Sequence, residues 1–161
     1  MSMIKGIIMG VDPSLHATGI AVIDTTQTPW RLVESLTIRQ PVWASISAGL
    51  ATIAFHLRMV ILRTKPTATA IESAIWVQNR TTAMLMAKIE GACHTTMADM
   101  DLDPALYAPR VVKKQVSGNA AASKATIASQ VALALRLEAP LPFDESDAAA
   151  VAICHATIWE D

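Results

Sequence analysis

Cysteine is scarce in this sequence, and its placement argues against the two chemistries that cysteine usually signals. The 161 residues include two cysteines, Cys93 and Cys154, which lie far apart in apolar surroundings. Zinc-binding and redox cysteines usually come in close CxxC pairs, and the sequence has no such pair. We therefore expect both thiols to be reduced residues of the core, and we expect no structural zinc site.

The sequence also lacks an apolar run long enough to predict a transmembrane span. Its N-terminus lacks the basic start and cleavable apolar segment of a secretory signal. We therefore expect a soluble intracellular protein with no membrane partner. Charged residues make up 17% of the chain and hydrophobic residues 52%, which is typical of a well-packed globular core. Because the sequence shows no internal repeat or low-complexity linker, we expect a single domain over residues 1–161.

The net charge of −1 is close to neutral, but the charges are unevenly distributed. Residues 106–137 contain no acidic side chain and five basic ones: Arg110, Lys113, Lys114, Lys124 and Arg136. Such a segment produces a local positive field that suits a phosphate-bearing partner. A solvated helix face can have the same composition, so this pattern alone does not decide between the two interpretations.

Hydrophobic periodicity predicts a chain of mixed α/β class. Residues 3–11, 17–24, 31–38, 67–72 and 105–108 are predicted as strands, and residues 42–64, 80–98, 110–117, 123–137 and 145–159 as helices. Short turns between the first three strands predict an antiparallel meander. A strand that follows a crossover helix should pair in parallel with a strand already in the sheet. We therefore expect an α/β fold with a five-stranded mixed sheet flanked by helices.

An aspartate interrupts the apolar beginning of the chain. Asp12 ends the apolar run and precedes Pro13, which opens a turn. A carboxylate is costly to bury in such surroundings unless it is paired or holds a metal ion. The alternative is a structural aspartate that caps the turn.

Three more acids stand at comparable places: Glu72 ends the fourth predicted strand, and Asp144 and Asp147 share one face at the start of the last helix. If the first and fourth strands are neighbours, Asp12 and Glu72 end side by side. Clustered carboxylates need cations to neutralise them, and oxygen ligands suit Mg²⁺ or Mn²⁺. Capping and complementing the helix dipole is the alternative for the helical pair. His155 either approaches the same site or packs in the core or on the surface.

Four short motifs follow one another along nearly the whole chain. They are Gly10-Val11-Asp12-Pro13-Ser14 with Thr18-Gly19, Ile71-Glu72 with Gln78-Asn79, Tyr107 to Lys113 with Gly118 and Lys124, and Asp144 to Ile153. In this order they resemble the motifs of the RuvC family of Holliday-junction resolvases. The resemblance implies a ribonuclease H-like fold and a structure-selective endonuclease of DNA recombination and repair.

The resemblance also implies a mechanism and its residues. We expect paired symmetric nicks in a four-way junction that leave 5′-phosphate and 3′-hydroxyl ends. Two Mg²⁺ or Mn²⁺ ions per active site would activate a water and stabilise the leaving oxygen. The implied metal ligands are Asp12, Glu72, Asp144 and Asp147, and the implied active-site lysines are Lys113 and Lys124.

Contacts with DNA are a further expectation from the resemblance. The family often has an aromatic wedge a few residues after its second acid, and Ile75 stands there with Trp76 beside it. Either side chain would enter the junction centre and unstack bases. The alternative for Trp76 is packing in a core or dimer contact. The other predicted DNA-binding residues are Asn79, Arg80, Arg110 and Lys114.

Members of the family mostly act as homodimers, which suits a junction of nearly two-fold symmetry. We expect a homodimer that binds four-way branched DNA, with a branch-migration helicase as a further partner. The expected location is the cytoplasm of a bacterium or of a phage-infected host cell.

Two other functions remain open: a non-catalytic branched-DNA-binding protein of the same fold, and a ribonuclease H-like nuclease that acts on other branched DNA or on RNA–DNA hybrid. Sugar-kinase and actin-like phosphate-binding proteins have a similar glycine and aspartate opening. They need two such domains, and the length of this chain argues against them.

Overall fold

The computed structural model describes residues 3–14, 16–41, 44–73 and 79–158. Within these residues, the strands are β1 (Ile7–Asp12), β2 (Ala17–Asp24), β3 (Arg31–Arg39), β4 (Ala68–Glu72) and β5 (Ala105–Tyr107). The helices are α1 (Ile46–Thr64), α2 (Arg80–Ala98), α3 (Pro109–Ser117), α4 (Lys124–Ala134) and α5 (Phe143–Thr157).

The strands form a mixed sheet in the order β3-β2-β1-β4-β5. The pairs β1–β2 and β2–β3 are antiparallel, whereas β1–β4 and β4–β5 are parallel. This confirms the predicted five-stranded sheet with its antiparallel meander. In the parallel register Val11 lies opposite Ile71. The next residues along these two strands, Asp12 and Glu72, therefore end side by side at the same edge of the sheet.

Apolar side chains alternate between the two faces of the sheet and build a core on each. Met9 and Val11 of β1 pack with α1 and α2, whereas Ile8 packs with α3, α4 and α5. Because side chains of a strand alternate in direction, Asp12 shares the face of Ile8. By the same alternation Glu72 shares that face, which is the face covered by α5.

Helix α5 lies unusually close to the sheet because glycines stand beneath it. A Cβ atom on Gly10 would lie 2.2 Å from the carbonyl oxygen of Ala148. A Cβ atom on Gly19 would lie 2.0 Å from the carbonyl oxygen of Asp144. Both distances are far inside van der Waals contact, so only glycine lets the helix backbone approach this closely. The approach brings the first turns of α5 next to the end of β1.

Helix α1 corrects one expectation from the sequence. By length and composition it is apolar enough to cross a membrane, with a mean hydropathy of 1.4. Core helices of soluble proteins pass the same test, so the result is weak evidence for a membrane span. In this fold Ile53, Leu57 and Val60 of the helix are buried against the sheet.

Several predicted boundaries differ by a few residues from those of the structure. Helix α1 begins at Ile46 rather than at residue 42, since the Ser45 side chain accepts a hydrogen bond from the N–H of Ala48 and caps it. Helix α4 ends at Ala134, and Arg136 then adopts a left-handed conformation with φ of 51°. Helix α5 begins two residues earlier than predicted. The first strand begins at residue 7 rather than at residue 3.

The two cysteines are free and buried, as predicted. Cys93 lies in the core between the sheet and helices α1 and α2, and Cys154 lies in the core on the other face. Burial raises the pKa of each thiol to about 12, which makes both thiols poor nucleophiles.

Candidate active site

A cavity of about 220 Å³ opens at the edge of the sheet where β1 and β4 end. Five of the six predicted catalytic side chains line it: Asp12, Glu72, Lys113, Lys124 and Asp147. The sixth, Asp144, lies close enough to raise the pKa of the Asp12 carboxyl by repulsion. The fold therefore brings together residues that are separated by up to 135 positions in the chain, the distance from Asp12 to Asp147.

Each side chain reaches the cavity from a rigid element. Asp12 and Glu72 end their strands. Lys113 lies on α3, which begins with Pro109 in its first turn directly after β5. Lys124 is the first residue of α4, where the Ser123 side chain caps the helix by accepting a hydrogen bond from a backbone N–H. Positions on strand ends and capped helices hold the charged groups in a defined arrangement.

The carboxylates of β1 and β4 are held in an unfavourable environment for negative charge. Burial, followed by repulsion from Glu72 and Asp147, raises the pKa of Asp12 to about 8, although Lys124 acts in the opposite direction. Burial and repulsion from Asp147 raise the pKa of Glu72 to about 7, against the attraction of Lys113 and Lys124. With four carboxylates in or beside the cavity and two lysines, the fully ionised site would carry more negative charge than the lysines neutralise.

Basic side chains contact the two aspartates of α5. Lys124 Nζ lies 2.8 Å from Asp147 Oδ2, and Arg39 Nη2 lies 3.7 Å from Asp144 Oδ2. The hydrogen bond to Asp147, reinforced by the charges of Asp147 and Asp12, raises the pKa of Lys124. Lys124 is thus in direct contact with an acid of the site.

The donor set of this cavity fits a hard divalent cation. Its acidic side chains offer carboxylate oxygens, and Mg²⁺ and Mn²⁺ prefer oxygen donors. A divalent cation would neutralise the charge of the ionised carboxylates and so favour their ionised form. Among the described residues, no three Asp, Glu, His or Cys side chains already converge as a complete ligand group. Asp147 and Asp144 would exchange their present contacts with Lys124 and Arg39 for the ion.

The structure also tests the capping alternatives. The turn after β1 is closed by Thr18, whose Oγ1 accepts from the N–H of Ser14 and donates to the carbonyl oxygen of Ser14. The N-cap of α5 is Pro142, which makes no side-chain capping bond. Capping therefore explains neither Asp144 nor Asp147, although Asp144 in the first turn does complement the helix dipole.

The predicted DNA-binding residues within the described part of the chain lie on two helices, α3 and α2. Arg110 and Lys114 are exposed on α3, the helix that also carries Lys113. Asn79 caps α2 by accepting hydrogen bonds from two backbone N–H groups, and Arg80 is exposed at the start of that helix. Ile75 and Trp76, the two candidates for a junction wedge, lie outside the described residues.

Four residues beside the site were not predicted from the sequence: Ser35, Thr37 and Arg39 of β3 and Glu145 of α5. Ser35 and Thr37 donate hydrogen bonds to Glu145, and Arg39 contacts Asp144. Their alternation with apolar Leu36 and Ile38 was visible in the sequence. A polar strand face is usually solvated, and no pattern along the chain showed that a helix covers this one.

His155, a candidate to approach the acids, has a different partner. Its Nδ1 lies 2.8 Å from the hydroxyl oxygen of Tyr107, and both side chains are buried. The pair joins the end of α5 to the end of β5. Tyr107 in turn accepts a backbone hydrogen bond from Ser73, the residue after Glu72.

Comparison with known proteins identifies the family. The family described as crossover junction endodeoxyribonuclease RuvC matches this chain over residues 8–155. The chain belongs to the RuvC family. RuvC of Bordetella parapertussis is 34% identical over 151 residues, covering 94% of this chain and 83% of that protein. RuvC of Halorhodospira halophila is 33% identical over 149 residues, covering 92% of this chain and 89% of that protein.

Solved structures agree with this assignment. The structure of Thermus thermophilus RuvC in complex with a Holliday junction substrate superimposes with a TM-score of 0.86 at 25% identity, covering 94% of this chain and 93% of that one. The yeast mitochondrial Holliday junction resolvase Ydc2 has a TM-score of 0.69 at 8% identity, covering 97% of this chain and 80% of that one, and this likeness shows the fold alone. The ribonuclease H-like fold predicted from the motifs is confirmed.

Proposed function

We propose that this chain is a structure-selective endonuclease that resolves four-way DNA junctions by paired symmetric nicks, with residues 1–161 forming one nuclease domain. The observation that carries the proposal is a single cavity in which a RuvC-family chain joins three carboxylates and two lysines. Carboxylates without a metal would repel a DNA phosphate, so a protein that only bound DNA would gain nothing from this arrangement.

The residues of the cavity divide into metal ligands and phosphate contacts. Asp12, Glu72, Asp144 and Asp147 would hold two Mg²⁺ or Mn²⁺ ions. When bound, such ions supply Lewis-acid stabilisation of phosphate charge and lower the pKa of a coordinated water. Lys113 and Lys124 stabilise the negative charge that develops on the scissile phosphate. Attack on the side opposite the 3′-oxygen leaves a 5′-phosphate and a 3′-hydroxyl, which a ligase can seal.

Selection of a junction would come from the surface around the cavity and from a second subunit. We assign DNA contacts to Arg110 and Lys114 on α3, and to Asn79 and Arg80 at the start of α2. Ile75 and Trp76 are proposed as wedge residues at the junction centre. A homodimer places two cavities against two symmetric strands. We further propose that the protein acts with a branch-migration helicase. Its expected location is the cytoplasm of a bacterial or phage-infected cell.

The test is cleavage of a synthetic four-way junction beside linear duplex, flap and RNA–DNA hybrid, each with Mg²⁺, Mn²⁺ or a chelator. We expect paired symmetric nicks in the junction alone, lost on chelation. Asp12→Asn should abolish nicking and keep junction binding. Asp103→Asn, the same change at an exposed site before β5, is the matched control and should nick normally.

Other outcomes would change the assignment. Cutting of the flap or the hybrid, with the junction left intact, would move the substrate to another class. Tight junction binding without cutting in either metal would indicate a non-catalytic binding protein. Normal nicking by the Asp12→Asn variant would contradict the assignment of the acids as metal ligands.

A further inference from the structure

The start of α5 is attached to the edge strand β3 by side chains far apart in sequence. Ser35 Oγ donates a hydrogen bond of 2.5 Å to Glu145 Oε2, and Thr37 Oγ1 donates one of 3.3 Å to Glu145 Oε1. Each carboxylate oxygen of Glu145 therefore accepts from a different residue of the strand. Arg39, on the same strand face, contacts Asp144.

The backbone at the start of α5 also packs closely against the sheet. In the sheet register Thr37 lies opposite Gly19 of β2. The carbonyl oxygen of Asp144 lies directly over Gly19, with no room there for a Cβ atom. The first turn of α5 thus rests on β2 through its backbone and is tied sideways to β3 through Glu145.

Glu145 lies between Asp144 and Asp147 in the sequence, but it contacts β3 and is not among the residues that line the cavity. A glutamate in the first helical turn stabilises the helix dipole without any partner. That general effect does not require two hydroxyl donors from a strand 108 and 110 residues away in the chain. These specific contacts indicate that Glu145 fixes the orientation of the first turn of α5 relative to β3.

We propose that Glu145, held by Ser35 and Thr37, is a positioning residue that sets the orientation of Asp144 and Asp147 toward Asp12. The proposal rests on the proposed function, since it treats Asp144 and Asp147 as metal ligands. Groups that orient metal ligands from outside the ligand shell typically contribute 10–100-fold to metal affinity or activity.

The experiment separates orientation from charge with three variants and a control. Glu145→Gln removes the negative charge but keeps a carbonyl oxygen that accepts a hydrogen bond. The double variant Ser35→Ala/Thr37→Val keeps the charge and removes both donors. Glu145→Ala removes both features. Glu138→Ala, a change at an exposed residue before α5, is the control and should match the wild type in every assay.

Mn²⁺ affinity is measured by calorimetry on the full chain without DNA, well below the thermal midpoint of each variant. Glu145→Ala and the double variant should each bind Mn²⁺ about tenfold more weakly than the wild type. Glu145→Gln should remain closer to the wild type than either. Nicking should show the same order at limiting metal and recover at saturating metal, with junction binding in chelator unchanged.

Three results would overturn the proposal. If Glu145→Gln is as weak as Glu145→Ala while the double variant binds normally, the effect is one of charge alone. If the variants lose thermal stability but keep full Mn²⁺ affinity, the contacts are merely structural. If all variants equal the wild type, Glu145 positions nothing. Failure of the wild type itself to bind Mn²⁺ and to nick a junction would instead overturn the proposed function.

Discussion

The substitution Asp12→Asn tests the electrostatics of the site in the metal-free protein, before any catalysis is measured. Burial and the neighbouring acids raise the pKa of Asp12 from 3.8 to about 8. Between these two pH values the folded protein binds a proton that the unfolded chain does not. Stability therefore falls as pH rises through this window, and the whole loss is present above pH 8. Below pH 3.8 the carboxyl is protonated in the folded and the unfolded state, so it does not lower the free energy of unfolding.

The size of the stability loss follows from the difference between the pKa of Asp12 in the folded protein and its ordinary value. One pKa unit corresponds to about 1.4 kcal/mol, so the ceiling is roughly 6 kcal/mol. Asp12 is only partly buried, and solvent screening reduces the contribution, so we expect on the order of 2 kcal/mol. For a protein of this size that corresponds to about 4–8 °C in the melting temperature. Asparagine at position 12 avoids this cost at every pH.

The assay is thermal unfolding in a metal chelator from pH 4 to pH 8.5, followed by circular dichroism. The variant and the wild type should melt close together at pH 4, and the variant should melt higher at pH 8. Asp103→Asn should show no such pH-dependent gap. A gap that stays constant with pH, or a variant less stable than the wild type at pH 8, would refute the electrostatic reasoning. Adding Mn²⁺ should raise the melting temperature of the wild type more than that of the variant.

Four further changes test the charge of the site, the packing of glycines and the capping of α4. Lys124→Met should lower the nicking rate by about 10² or more, since it removes charge stabilisation. Calorimetry should show tighter Mn²⁺ binding by this variant, because the lysine no longer competes for Asp147; weaker binding would contradict that competition. Gly10→Ala should cost about 3 kcal/mol in urea unfolding, because the new methyl group meets the backbone of α5. Gly91→Ala on α2, where a Cβ atom would meet nothing outside the local helix backbone within 4 Å, should instead stabilise by roughly 0.5–1 kcal/mol; equal effects of the two changes would refute the packing argument. Ser123→Ala should cost about 1 kcal/mol by removing the cap of α4, and an unchanged urea midpoint would show that the cap contributes nothing.

Much of the fold was accessible from local patterns. The strand and helix types, the antiparallel meander and the placement of Asp12 and Glu72 at strand ends all follow from periodicity and turn residues. The exact ends of α1 and α5 did not, because caps and close packing move a boundary by a few residues without changing the periodicity. The apolar character of α1 was also underestimated, since its charged residues interrupt the run without removing its overall hydropathy.

The site shows the same division. The order of the motifs predicted that the four acids and two lysines form one active site. Five of these six side chains line the cavity. The contacts of Ser35 and Thr37 with Glu145 could not be predicted, because an alternating strand has the same sequence pattern whether water or a helix covers its polar face. The partner of His155 was hidden for a similar reason, since Tyr107 is 48 residues away.

The sequence by itself determined which residues carry charge, where the strands end and which family the motifs resemble. These are properties of a residue and its close neighbours along the chain. Only the tertiary structure decided that Lys124 pairs with Asp147, that Glu145 is tied to β3 and that burial raises the pKa of Asp12 to about 8. Contact distances and desolvation depend on groups from distant parts of the chain, and they take values only when the sheet and its helices are packed together.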